Sequence, residues 1–250
     1  MLEKQRDDIL FGRNPVFELF DTDVDVNAVY ILKDSPIKAK AAALAKKKGC
    51  PLKEVSSEKL SSICLGGVHQ GIAASVAAID YAEIDDIFAL ADSKNEKPMI
   101  VLLDSIEDPH NLGAIIRTAE CAGAHGVIIE KRRSATVGET VMKTSAGAAL
   151  HIPLVRIGNT AQTIEQLKKR GVWIVGADMN GENCLTMDYD MPLCLVIGSE
   201  GQGLHRLVRD KCDFIASIPM FGKINSLNAS VAAGVLIYEA VRSRSLKGGK

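Results

Sequence analysis

The stretch Ile215-Ala-Ser-Ile-Pro-Met-Phe-Gly-Lys-Ile-Asn-Ser-Leu-Asn-Ala-Ser-Val-Ala-Ala-Gly-Val-Leu-Ile-Tyr238 decides the fold. It predicts a strand over residues 214–218, a polar turn, and then an alanine- and glycine-rich helix. Ser226 and Asn228 lie where the helix begins, and the first N–H groups of a helix attract acceptor atoms because they lack partners within it. Either side chain can also simply cap the helix. The small side chains at 229–234 predict that a backbone or a ligand approaches this helix closely.

The composition of the 250-residue chain is that of a globular protein, with 47% apolar and 24% charged residues and a net charge of −1. The sequence has no apolar run of about 18 residues, the length that a membrane span needs, and its first residues carry no signal-peptide pattern. We therefore expect a cytoplasmic protein with no membrane partner. Six cysteines and five histidines are scattered without metal-ligand spacing, which predicts reduced thiols and no metal site.

Alternating strands and helices in residues 1–80 predict a small α/β domain. Asn14 is the expected cap of its first helix, with Pro15 at the first helical position. The other predicted elements are strands at 28–32, 52–55 and 71–79 and helices at 37–48 and 57–64. An acidic segment at 81–98, partly helix and partly linker, is expected to join this domain to the rest of the chain.

Residues 99–250 predict a parallel sheet with helices on both faces. The continuous apolar run at 99–104 is typical of a strand buried on both faces. Five further strands are predicted at 127–130, 154–157, 172–177, 193–197 and 214–218. Helices are predicted between them at 112–122, 137–144, 160–170 and 204–211.

Ligands bind beyond the carboxyl ends of the strands in such a sheet, and two more loops there carry polar groups. After the first strand, Asn111 is expected to cap a helix, and Arg117 follows nearly two turns later. Both can approach one anionic group, although Arg117 can equally be an ordinary surface arginine. The loop Gly198-Ser-Glu-Gly-Gln-Gly203 matches neither the dinucleotide nor the phosphate-loop pattern. Glu200 within it repels phosphate and suits a cationic or hydroxyl-bearing ligand.

Three motifs resemble the SpoU (TrmH) branch of the SPOUT RNA methyltransferases. They are Asn111-x-Gly-x-x-x-Arg-Thr-Ala, Ile197-Gly-Ser-Glu-Gly-x-Gly and Ile218-Pro-Met-x-Gly-x-x-x-Ser-Leu-Asn-x-Ser-x-Ala, in that order. The resemblance covers about residues 99–245. Phe11-Gly-Arg-Asn-Pro-Val and Val68-His-Gln-Gly-Ile72 resemble the substrate-binding domain of the same family. Together the two parts look most like the enzymes that methylate the ribose 2′-oxygen of a guanosine in large-subunit ribosomal RNA.

This resemblance implies an α/β fold in which the C-terminal segment is threaded through a loop as a deep trefoil knot. It implies S-adenosylmethionine as cofactor, a ribosomal-protein-like RNA-binding fold for the front domain, and a homodimer whose active sites use residues of both chains. The small residues at 229–234 suit a threaded helix, which must pack against several backbones.

Site residues follow from the resemblance position by position. The implied catalytic residues are Asn111, Arg117, Glu200, Ser226 and Asn228. The implied cofactor-binding residues are Ile197, Gly198, Ser199, Gly203, Ile218, Met220 and Leu227. Because a guanidinium is too weak an acid to serve as a base near neutral pH, we expect Arg117 to stay charged and to stabilise negative charge on oxygen. Glu200 is expected to orient it or to assist proton removal.

Two alternatives stay open. The same chemistry on a transfer RNA is the nearest, and a non-catalytic RNA-binding factor for ribosome assembly belongs to a different class. A nucleotide-dependent oxidoreductase is disfavoured because neither phosphate fingerprint occurs. The basic residues expected to contact RNA are Arg13 with Lys46–Lys48 in the front domain, and Arg132 with Arg133 near the active site.

Overall fold

The computed structural model describes residues 8–22, 26–64, 66–76, 81–135 and 137–248. The chain divides into two compact units. The first comprises Met1–Asp80 and Val137–His151, and the second comprises Tyr81–Thr136 and Ile152–Lys250. The segment at 137–151, which the sequence places within the second domain, thus packs with the first unit. No helix in the described ranges is both long enough and apolar enough to cross a bilayer.

The first unit is built on a four-stranded sheet. Its elements are β1 (Asp8–Phe11), α1 (Arg13–Leu19), β2 (Val26–Leu32), α2 (Lys38–Lys48), β3 (Leu52–Val55), α3 (Ser57–Ile63) and β4 (Ile72–Val76), joined by α6 (Glu139–Thr144) and a 3-10 helix (Ala148–Leu150). The strand order is β1-β4-β2-β3, with β4 antiparallel to both neighbours and β3 parallel to β2. Residues 77–79 of the predicted third strand lie outside the described ranges.

The start of α1 differs from the prediction. The N-cap is Gly12 at φ 95°, so Asn14 lies within the first turn and does not cap the helix. The glycine is needed because strand β1, which the sequence did not predict, ends at Phe11 and the chain must turn sharply. Arg13 begins α1, whereas Lys48 reaches the carbonyl of Thr22 beyond the end of α1. The two expected RNA-binding groups of this unit therefore lie at opposite ends of α1.

The second unit is a six-stranded sheet in which every pair is parallel, as predicted. Its elements are α4 (Ile84–Ser93), β5 (Met99–Asp104), α5 (Pro109–Cys121), β6 (Gly126–Glu130), β7 (Leu154–Ile157), α7 (Thr160–Lys169), β8 (Trp173–Asn183), β9 (Leu193–Gly198), α8 (Arg206–Arg209), β10 (Phe214–Ser217) and α9 (Ala229–Gly248). The order is β10-β8-β9-β5-β6-β7. Helix α8 is shorter than predicted, and the knot stays a prediction.

Strands β5 and β9 lie at the centre of this sheet, and both are buried along their apolar runs. Fully burying an aliphatic side chain stabilises the folded state by about 1.5–3 kcal/mol, so this pair of strands anchors the unit. The carboxyl ends of β5, β6 and β9 therefore occupy fixed positions at one edge of the sheet. The loops that leave this edge carry the predicted site residues.

Helix α9 is held at both ends. Near its start it packs against α5, and Gly234 faces the methyl group of Thr118. Near its other end, Arg244 donates hydrogen bonds to four carbonyl oxygens, those of Lys97, Pro98, Tyr189 and Met191, at 2.7–3.3 Å. This anchoring fixes where the first turn of α9 stands relative to the sheet.

Candidate active site

Three distant segments of the second unit meet through one carboxylate oxygen. Glu200 Oε1 accepts a hydrogen bond from Asn111 Nδ2 at 3.1 Å and from the backbone N–H of Ala229 at 3.2 Å. Asn228 Nδ2 donates to the same oxygen and also to Asn111 Oδ1 at 2.9 Å. The structure thus brings together three of the five predicted catalytic residues, at the carboxyl ends of the strands.

Asn228 also caps α9. Its Oδ1 accepts from the N–H groups of Ser230 at 2.9 Å and Val231 at 3.3 Å. The prediction that Asn228 can cap this helix is therefore confirmed. The cap uses only Oδ1, so Nδ2 of Asn228 also donates to Glu200 and Asn111 in the candidate site.

Asn111 does not cap α5, contrary to the prediction. Asp108 does so, since its Oδ1 accepts from the N–H of His110 at 3.0 Å, and Pro109 takes the first helical position. An aspartate followed by proline is a strong start signal, so the helix begins three residues earlier than expected. The buried Asn111 side chain is consequently free to bond to Glu200 and Asn228.

A cavity of about 590 Å³ opens beside this network. Its volume lies in the range of small-molecule and cofactor sites. Three carboxylates, Glu107, Asp108 and Glu200, face a single cation, Arg133, so the lining favours a cationic or hydroxyl-bearing ligand. The lining residues are Ser105, Ile106, Glu107, Asp108, Asn111, Arg133, Ser199, Glu200, Gln202, His205 and Ala229.

Arg117 does not line this cavity. Its side chain is exposed on α5, and the described part of the chain offers it no hydrogen bond or ion pair. Ser226 is exposed in the loop that precedes α9 and lies outside the cavity lining. Within one chain, therefore, the structure does not bring Arg117 and Ser226 to the network of Asn111, Glu200 and Asn228.

The predicted cofactor-binding residues are divided between two loops. Ile197, Gly198, Ser199 and Gly203 end β9 and form the loop after it, and of these Ser199 lines the cavity. Ile218, Met220 and Leu227 belong to the loop between β10 and α9, whose residues from Met220 to Asn228 are exposed.

The loop after β9 folds back on itself at two glycines. A Cβ atom at Gly198 would stand 2.2 Å from the backbone carbon of Gly203, and the N–H of Gly203 donates to the carbonyl of Ser199 at 3.0 Å. A side chain at position 198 is therefore excluded by backbone atoms. The loop is pre-formed, and this geometry determines where Glu200 stands.

Two further polar pairs lie at the same edge of the sheet. Asp104 at the end of β5 is buried and lies 3.0 Å from His205 Nδ1, and Glu130 at the end of β6 accepts from the Ser105 backbone and hydroxyl at 3.2 Å. Neither pair was predicted from the sequence. Their common signal is a carboxylate as the last residue of a predicted strand.

Two cysteines of this unit are not nucleophiles. Burial raises the pKa of the Cys194 thiol in β9, and it raises the pKa of Cys212 to about 12. Both thiols are therefore protonated at neutral pH, whereas nucleophilic attack requires the thiolate. All six cysteines are free thiols.

Two family models match the chain. The SpoU rRNA Methylase family model matches residues 98–238, and the model for RNA 2′-O ribose methyltransferase substrate binding matches residues 9–82. These two segments together cover most of the chain.

Known proteins are similar to the chain over all or part of its length. A protein of Bacillus subtilis (strain 168), named as a TrmH family tRNA/rRNA methyltransferase, is 47% identical over 245 residues, which cover 96% of this chain and 98% of the relative. The crystal structure of the SpoU methyltransferase AviRb from Streptomyces viridochromogenes in complex with AdoMet superposes with a TM-score of 0.83 at 27% identity, covering 96% of this chain and 91% of that chain. A TrmH/SpoU tRNA modifying enzyme from A. aeolicus has a TM-score of 0.55 at 31% identity, covering 66% and 85%.

Proposed function

The chain belongs to the SpoU rRNA methylase family, and from that premise we propose that it methylates the ribose 2′-hydroxyl of a guanosine in large-subunit ribosomal RNA. The methyl donor in this proposal is S-adenosylmethionine, the cofactor bound in AviRb. The observation that carries the proposal is the network joining Asn111, Glu200 and Asn228 beside the cavity. The substrate-binding model at residues 9–82 supports an RNA substrate and the ribose oxygen as the methylated atom.

The residues present fit a bound S-adenosylmethionine. A Cβ atom at Gly201 or Gly203 would meet no atom within 4 Å, so a ligand can approach the backbone of the loop after β9 at these two positions. The acidic lining of the cavity complements the positive charge of a sulfonium. We expect the backbones near Gly198, Ile218 and Leu227 to hold the cofactor, together with Ile197, Ser199, Gly203 and Met220. When bound, the cofactor supplies an electrophilic methyl group.

The chain must then aim the 2′-oxygen at that methyl group and remove the hydroxyl proton. The side chains of Asn111 and Asn228 and the backbone N–H of Ala229 donate to Glu200 Oε1, so the carboxylate presents its remaining oxygen in a fixed direction. Arg117 remains charged and stabilises the negative charge that develops on the ribose oxygen or grips an adjacent phosphate. Ser226 is expected to orient the nucleotide from the loop before α9.

We propose that Arg117 reaches the active site of a second copy of the chain. The arginine is exposed, has no polar partner among the described residues and lies outside the cavity of its own chain. Next to it in sequence, Thr118 packs beside Gly234. On α9, Val231 and Tyr238 lie two turns apart and are each about half exposed. An exposed apolar stripe beside an unused catalytic group suits a symmetric homodimer.

RNA contacts are expected at two places. Arg133 lines the cavity, its backbone has a φ of 60°, and Arg132 precedes it in the loop after β6. We expect this loop to bind a phosphate beside the reacting nucleotide. Residues 1–80, with Lys46–Lys48 in the last turn of α2, are proposed to recognise the RNA, while residues 99–250 carry the chemistry and 81–98 connect them.

Transfer RNA is the competing substrate, because the B. subtilis relative is named for both RNA classes and the A. aeolicus structure is of a tRNA modifying enzyme. The test is transfer of labelled methyl from S-adenosylmethionine to unmodified large-subunit ribosomal RNA and, separately, to unmodified bulk transfer RNA. We expect label in the ribosomal RNA alone. Label in transfer RNA alone overturns the substrate proposal, and tight RNA binding without label in either supports a non-catalytic assembly factor.

A further inference from the structure

A histidine–carboxylate pair lines the same cavity as the predicted catalytic residues. Asp104 Oδ2 accepts a hydrogen bond from the backbone N–H of His205 at 2.8 Å, and Asp104 Oδ1 lies 3.0 Å from His205 Nδ1. The Asp104 carboxylate is buried, whereas the His205 side chain is 40% exposed and faces the cavity that Asn111 and Glu200 also line. Asp104 ends β5, and His205 follows the loop after β9 as the N-cap residue of α8.

The carboxylate determines which ring nitrogen is free. An ionised carboxylate only accepts hydrogen bonds, so Nδ1 of His205 carries the proton and Nε2 presents its lone pair. Within the ranges that the structure describes, Nε2 has no hydrogen-bond partner. A base that is oriented by a carboxylate and open to a cavity is the arrangement used to remove a proton from a hydroxyl group.

The other polar groups of the cavity are less suited to this step. Glu200 Oε1 accepts three N–H donors, which leaves one oxygen of this carboxylate open, but a carboxylate is a much weaker base than imidazole near neutral pH. Asp108 caps α5, and Arg133 has no lone pair to offer. Glu107 is an exposed carboxylate, and carboxylates are much weaker bases than imidazole near neutral pH.

We propose that His205 is the general base of the methyl transfer, held in place by Asp104. Its Nε2 takes the proton of the ribose 2′-hydroxyl while the bond from the 2′-oxygen to the methyl carbon forms. The bond from that carbon to sulfur breaks, and its electron pair stays on sulfur, which becomes a neutral thioether. Asp104 stabilises the imidazolium that results. This inference rests on the proposed ribose methylation.

The variant that tests it is His205→Asn. Asparagine can donate to Asp104 in place of Nδ1, but it offers no nitrogen that takes up a proton. We expect the single-turnover rate of methyl transfer to fall by roughly 10²-fold or more, with the dissociation constants for RNA and for S-adenosylmethionine unchanged. The matched control is His151→Gln, because His151 pairs with Glu18 at 3.0 Å outside the cavity and should transfer at the wild-type rate.

Two further readouts separate a base from a structural residue. The rate of the wild-type chain should fall at acid pH, where an imidazolium cannot accept a proton, and this acid limb should be absent in His205→Asn. The variant keeps Asp104 and the other ionisable side chains near His205, namely Glu107, Asp108, Arg133 and Glu200. If the fall in rate at acid pH disappears in the variant, the titrating group is therefore His205. Added imidazole should also restore part of the rate of His205→Ala.

A wild-type rate in His205→Asn would overturn the inference while leaving the proposed function intact. So would a loss of rate that tracks a loss of RNA or cofactor binding and is not restored by imidazole in His205→Ala. Absence of methyl transfer by the wild-type chain itself would overturn both the function and this role.

Discussion

Glu200 Oε1 accepts hydrogen bonds from two asparagine side chains and from the first N–H of α9. Hydrogen bonds to a charged acceptor contribute about 1.5–3 kcal/mol each, so the three donors fix the carboxylate more firmly than its surface position alone suggests. Asn228 donates to Glu200 through Nδ2 and caps α9 through Oδ1. Replacing it should therefore lower both the stability of the fold and the rate of methyl transfer.

Asn228→Ala should lower the free energy of unfolding by about 1 kcal/mol, the usual contribution of an N-cap, and should also reduce methyl transfer. The control is Asn159→Ala, because Asn159 caps α7 through Gln162 N–H at 2.9 Å away from the cavity. That variant should lose similar stability, measured by urea denaturation, yet keep its transfer rate. Equal activities in the two variants would show that Asn228 is only a cap.

His125 gives a second prediction for a single residue. Its ring is buried, its Nδ1 accepts from the N–H of Met99 at 3.0 Å, and burial, followed by the charge of Lys94, lowers its pKa. Because the folded-state pKa is depressed, the unfolded chain binds the proton more readily, and stability is lost as pH falls below about 6.5. The free energy of unfolding should therefore decrease between pH 7 and 5, and it should decrease less in His125→Gln. If the free energy of unfolding fell equally with pH in the wild-type chain and in His125→Gln, His125 would not be the cause of the pH dependence.

At the scale of elements, the loop between β9 and α8 depends on glycine. Gly198→Ala places a Cβ atom where backbone atoms of Gly203 stand, at 2.2 Å, so the loop must move. We expect at least a tenfold loss of S-adenosylmethionine affinity, measured by calorimetry. A movement of the loop that weakens the binding free energy by about 1.4 kcal/mol is enough to cause a loss of that size. Gly222→Ala is the control, because a Cβ atom there meets no atom within 4 Å. Unchanged affinity in Gly198→Ala would place the cofactor elsewhere.

Most elements of the sheet could be predicted from the sequence. Strand β5 is a continuous apolar run, and a strand buried on both faces shows that pattern regardless of its partners. The start of α5 was placed wrongly because Asp108 and Asn111 are both good caps, although Pro109 after Asp108 is a signal in the sequence that favours Asp108. Strand β1 was missed since its four residues are too few for a pattern and its pairing with β4 is distant in sequence.

At the scale of the whole molecule, the proposed homodimer makes a prediction about mixed chains. Arg117→Ala and Glu200→Gln chains with different tags are co-expressed, and hybrid dimers are purified through both tags. If each site combines Glu200 of one chain with Arg117 of the other, a hybrid contains one intact site and should show about half of the wild-type rate. Both variant homodimers should be inactive. An inactive hybrid that remains dimeric would place Arg117 and Glu200 in the same chain's site.

The candidate site could be predicted in part. The topology of the parallel sheet explains why three of the predicted residues meet. The chain leaves the same edge of the sheet after β5, where Asn111 follows, and after β9, where Glu200 follows, and Asn228 precedes α9. The spacing of Arg117 and Asn111 allowed both side chains to approach one anionic group, but Arg117 is exposed on α5 and does not join the network within its own chain. The partnership of Asp104 and His205 spans 101 residues and depends on the register of β5 with β9, which no local pattern reveals.

The chemical position of the transferred methyl group is the most direct test of the account. Ribosomal RNA labelled through S-adenosylmethionine is hydrolysed in alkali, which needs a free 2′-hydroxyl to cleave each bond. The account predicts label only in alkali-resistant dinucleotides that begin with guanosine, and none with the Glu200→Gln chain. Label in mononucleotides would place the methyl group on a base and contradict ribose methylation.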